Sequence, residues 1–82
     1  MEYSYPQFRK NTTGKSYYQI TSDQHMIEWQ QLGLRMIRHE LNASILPERL
    51  LIADLLDCRD GHYEIITHHE FKTATGQEPQ EY

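Results

Sequence analysis

One cysteine, Cys58, is all that the 82-residue chain contains, so no disulfide can close within it, and that usage fits a reducing compartment. Long apolar runs are missing as well. No stretch approaches the roughly 20 apolar residues of a membrane span, and no N-terminal run has the length of a secretory signal, so the cytoplasm is the expected location and no membrane partner is expected. Asn11-Thr12-Thr13 and Asn42-Ala43-Ser44 fit the glycosylation triplet, but without secretion the matches carry no chemistry. Basic charge is thin: eight Lys/Arg against twelve Asp/Glu leave a net −4. Residues 1–39 hold five basic against three acidic side chains and residues 40–82 hold three against nine. Wrapping a nucleic-acid duplex needs a dense positive surface, so this balance argues against it. Size is the last shortage. A chain this short forms one core and gains stability from a disulfide, a metal or a partner subunit. With the disulfide excluded, a metal or a partner remains.

The residues that are present punctuate the chain clearly. Tyr3–Lys10 and Ser16–Ile20 are short and aromatic, and the Asn11-Thr12-Thr13-Gly14-Lys15 segment between them has turn chemistry, which predicts a β-hairpin. Pro6 cannot donate to a ladder and so predicts an edge position for the first strand. Thr21-Ser22-Asp23-Gln24 resembles a helix start with a capping box, followed by Met26, Ile27, Trp29 and Leu32 and a stop at Gly33. Residues 34–45 fit two patterns. Leu34, Ile37 and Leu41 match a helical stripe, whereas Ile37, His39, Leu41, Ala43 and Ile45 alternate with polar residues as in a half-buried strand, and the longer alternation favours the strand. Pro47 opens a helix carrying Leu51, Ile52, Leu55, Leu56 and Cys58. Asp60-Gly61 ends it before a strand over residues 62–66, and Thr67 with Glu70 caps a short final helix containing Phe71. Residues 1–74 are therefore expected to form one domain, and the polar tail 75–82 to be disordered. Tyr18–Ser22 and Tyr63–Thr67 echo one another at an offset of 45, an echo that a shared strand-to-cap junction explains as well as duplication would.

The candidate chemical motifs fail on spacing. Thr13-Gly14-Lys15-Ser16 imitates the end of a phosphate loop, but Arg9 stands where its upstream glycine belongs. Cys58, His62, His68 and His69 invite a metal, yet a strand rising about 3.3 Å per residue separates His62 from His68 by roughly 20 Å. Cys58 and His62 lack an orienting third group, and a helix C-terminus disfavours a thiolate, so Cys58 is expected to be a small core residue. His39 on its apolar face is expected in the core. Asp54, Asp57 and Asp60 do not match a calcium loop and are expected to form a solvated face paired with Arg49 or Arg59, the alternative being a dock for a basic partner.

The expectation is an α+β fold in the order β-β-α-β-α-β-α, with a sheet of about four strands and the helices on one face. No cofactor, metal or catalytic group is expected. The leading functional expectation is a non-catalytic protein-interaction or regulatory domain that self-associates through a surplus of rings and cations on the first hairpin: Tyr3, Tyr5, Phe8, Arg9, Lys10, Lys15 and Tyr17. The alternative is single-stranded nucleic-acid binding through Tyr3, Tyr5 and Tyr17 with Arg9, Lys10 and Lys15, by stacking and phosphate contact.

Overall fold

The computed structural model describes residues 3–77. Four strands precede the first helix: β1 (Gln7–Asn11), β2 (Ser16–Ser22), β3 (His25–Leu32) and β4 (Arg35–Asn42). Then come α1 (Leu46–Asp57), a short 3-10 turn (Arg59–Gly61), β5 (Tyr63–Ile65) and α2 (His68–Thr75). The sheet order is β4-β3-β2-β1-β5, with every adjacent pair antiparallel. The class is α+β, as the sequence predicts, with five strands in place of about four.

The first hairpin forms because Asn11 organises its turn. Its side-chain oxygen accepts from Thr13 Oγ1 and from the backbone amides of Lys15 and Ser16, and Gly14 supplies a φ of 74°. β1 is not an edge strand, since β2 and β5 flank it. Pro6 lies just before the strand and removes no ladder donor from it.

The helix expected between Thr21 and Gly33 is instead strand β3. Ser22 Oγ accepts from the Gln24 amide, so the residues that resemble a helix cap close the tight β2–β3 turn, with a bulge between Ile20 and Ser22. Gly33, with φ 63°, opens the two-residue loop between the paired Leu32 and Arg35, where a positive φ is needed just as it is beyond a helix C-terminus. Met26 and Ile27 are adjacent and both buried because helices cover both faces of the sheet here. Alternation is lost from the sequence wherever both faces are apolar.

The helices divide between those faces and do not share one. On the first, Tyr18, Ile20 and Met26 pack with Ala43 and with Ile52, Leu55 and Leu56 of α1. On the second, Phe8 packs with Ile66 and with Phe71 of α2, and Tyr17 and Trp29 border them. The registers agree with this split: Ile20 pairs with Met26, and Phe8 with Gln19, on opposite sides of the sheet. Burial pushes the Tyr18 hydroxyl up to about 12, helped by the nearby Glu28 carboxylate and opposed by a hydrogen bond with Ser16.

Arg9 ties α1 to the sheet. It is 1% exposed, and its guanidinium donates to the carbonyls of Leu55, Leu56 and Phe8 at 3.0, 3.0 and 2.8 Å. In the last helical turn the planar fork meets the Leu56 carbonyl and joins the Cys58 amide on that of Leu55. At the other end of α1, Glu48 Oε1 accepts from the amides of Ser44 and Ile45. Thr67 Oγ1 accepts from the Glu70 amide as expected of a cap, but the Glu70 carboxylate turns away to Lys10. Thr75 is buried at the end of α2, and of the tail, residues 78–82 lie outside the described residues.

Candidate functional site

The seven residues expected to form one ring-and-cation surface are dispersed. Strand alternation sends Arg9 to the α1 face and Phe8, Lys10 and Tyr17 to the α2 face. Phe8 is buried, 5.5 Å from the His68 ring and 5.0 Å from Phe71. Arg9 is interior. Lys10 Nζ lies 2.9 Å from Glu70 and 3.8 Å from Glu64, and the hydrogen bond and charge of Glu70 raise its pKa. The Tyr3 hydroxyl donates to Asp57 at 2.5 Å, which raises its own pKa. Tyr17 is half-buried, leaving Tyr5 and Lys15 as the exposed members of the set.

The other candidates are equally placed by structure. Among the described residues no three His, Cys, Asp or Glu side chains converge as a metal site. Cys58 is half-buried with φ 51° just past α1. His39 shares a face with Ile37 and Leu41 but is exposed, not part of the core. Arg59 lies 3.4 Å from Asp54 and 3.6 Å from Asp57, the solvated acidic pairing expected of that run. A cavity lined by Asp23, Gln24, Arg49, Ile52, Ala53 and Leu56 measures about 220 Å³, below the roughly 300–1,000 Å³ of small-molecule pockets.

What the sequence reading missed is the β3–β4 hairpin. Eight residue pairs run from His25–Asn42 to Leu32–Arg35 without a bulge. At its tip Leu34 is fully exposed and Leu32 is 50% exposed. At its base a chain of side chains joins three strands: Thr21 Oγ1 contacts His25 Nδ1, His25 Nε2 meets Glu40 Oε2 at 2.7 Å, and Arg38 Nη1 approaches Glu40 Oε1 at 3.4 Å. The His25 hydrogen bond, then Arg38, hold the Glu40 carboxyl below its ordinary pKa. Hydroxyl, imidazole and carboxylate here share the sheet face of the buried Ile27 and link β2, β3 and β4 side by side.

β4 forms one end of the sheet, and no strand among the described residues pairs with its outer side. Its backbone orientation follows from neighbouring bonds. The Ala43 amide donates to the Gln24 carbonyl on the β3 side, so by alternation Met36, Arg38, Glu40 and Asn42 turn their N–H and C=O groups outward. Met36, Ile37 and Leu41 are half-buried along this strand. A second apolar exposure follows it, where Ile45, Leu46 and Leu50 are 57, 67 and 53% exposed. The chain matches no family model, no curated protein and no solved structure. No helix among the described residues is long and apolar enough to cross a membrane.

Proposed function

We propose that the protein is a non-catalytic interaction domain of the cytoplasm that associates with itself through the β3–β4 end of its sheet. The observation that carries this reading is the outer side of β4, which no strand among the described residues pairs: the strand is eight residues long, without proline or bulge, and flanked at both ends by exposed leucine or isoleucine. Sheets normally blunt such an edge with a short strand, a proline, a bulge or a covering element, because its unmet hydrogen-bonding groups template pairing. Here charge alone interrupts it, through Arg35, Arg38 and Glu40. A small domain also gains from a partner the stability that a disulfide would otherwise supply.

Sedimentation velocity across a micromolar range is the direct test. The expected result is a concentration-dependent rise toward a dimer, and a strict monomer at several hundred micromolar would overturn the reading. Nucleic-acid binding through the first hairpin draws less support, since its cations are largely engaged: Arg9 is spent on carbonyls of α1 and Lys10 on Glu70.

A further inference from the structure

Resting on the self-association just proposed, we infer a specific partner and register: a second copy pairs its β4 antiparallel to β4 about a two-fold axis at His39, with Arg38 opposite Glu40 of the partner subunit. The backbone limits the choices. Only Met36, Arg38, Glu40 and Asn42 present outward donors and acceptors, so hydrogen-bonded pairs must join even-numbered residues, and the register can shift only in steps of two. Overlap and charge then select among them: a two-fold at Ile37 or Leu41 leaves only residues 36 and 38, or 40 and 42, able to pair through outward groups. A two-fold at Arg38 sets Arg38 against Arg38 of the partner subunit, and a two-fold at Glu40 sets the two carboxylates together, both unfavourable for directly opposed side chains. The two-fold at His39 pairs Arg38 with the partner's Glu40 twice by symmetry.

The apolar pattern agrees independently. In that register Ile37 lies opposite the partner's Leu41 on the α1 side of the sheet, again twice. Continuing the same pairing places Leu34, at the exposed tip of the hairpin, beside the partner's Ser44, next to the exposed Ile45 and Leu46 where α1 begins. Two apolar exposures at opposite ends of one strand thus become neighbours across an antiparallel interface. Because the axis stands perpendicular to the sheet, both copies of α1 lie on one side of a continuous ten-stranded sheet and both copies of α2 on the other.

Single cysteines at positions 38, 39 and 40 in a Cys58→Ser background, oxidised with glutathione disulfide, read the register directly. His39→Cys should cross-link to a covalent dimer fastest, since a residue on the axis faces itself across a pair in which Cα atoms stand about 4.5 Å apart. Fastest cross-linking at 38 or 40, or at none of the three while sedimentation still reports a dimer, would overturn this register and leave self-association standing. A monomer by sedimentation would overturn both. Charge exchange gives the second measurement, with folding checked by circular dichroism. Arg38→Glu should weaken the dimer roughly tenfold or more, and Arg38→Glu with Glu40→Arg should recover most of that loss. A double variant no tighter than the single one also refutes the pairing.

Discussion

Arg9 shows why residue type alone misleads about surfaces. Cations beside aromatic residues in a strand read as a sticky patch, but strand alternation puts neighbours on opposite faces, and a side chain with five donors can enter a core if carbonyls await it. The three carbonyls that Arg9 meets would be left without that partner by Arg9→Met. The Leu55 and Phe8 carbonyls keep the amides of Cys58 and Ile66, so Leu56 is the acceptor left unmet, and at about 1–3 kcal/mol for such a group the substitution is expected to remove roughly that much by urea denaturation. Arg9→Lys should rescue little, because an ammonium lacks the fork that spans Leu55 and Leu56. If Arg9→Met unfolded at the wild-type urea midpoint, the carbonyl contacts would contribute nothing to stability.

At the scale of elements, the first hairpin, β4, α1, β5 and the Thr67 cap were legible because each carries a local signature that tertiary context leaves intact: turn residues, alternation, an N-terminal proline, a capping hydroxyl. β3 was not. Its flanking Thr21-Ser22-Asp23-Gln24 and Gly33 serve helix ends and hairpin turns equally well, and the adjacent Met26 and Ile27 hide the alternation because both sheet faces are covered. The open edge was missed for the same reason: until β3 pairs with β4, nothing marks β4 as the end of a sheet. Glu40 tests how far this pair of strands depends on its side-chain links. Its pKa in the folded protein lies below the ordinary value of 4.5, through His25 first and then Arg38. A lowered carboxylate pKa contributes stability that is fully present above the unfolded value and is lost as pH falls through the folded one. The stability gap between the wild type and Glu40→Gln should therefore hold near neutral pH and close as acid carries the carboxylate through its folded pKa. Parallel denaturation curves at pH 7 and in the acid range would check this, and a gap independent of pH would mean that ionised Glu40 plays no part in the hairpin.

The whole molecule bears on the partner question through its distribution of charge. With a net −4, nucleic-acid binding would require a local positive field strong enough to outweigh the rest of the surface, since phosphate affinity comes chiefly from counterion release by clustered cations. In the folded protein the cations are separated: Arg9 is interior, Lys10 is bonded to Glu70, Arg38 is beside Glu40, and Arg59 stands between Asp54 and Asp57. Lys15 sits on a turn away from Tyr5, and Arg35, Arg49 and Lys72 lie on β4, α1 and α2, too scattered for a base-stacking platform with a phosphate track. Titration of a fluorescent single-stranded oligonucleotide at low salt is expected to give a flat anisotropy curve over the protein concentrations used for sedimentation. Binding that weakened steeply with added salt would reveal a positive surface that this arrangement does not supply, and would favour nucleic-acid binding over the self-association proposed.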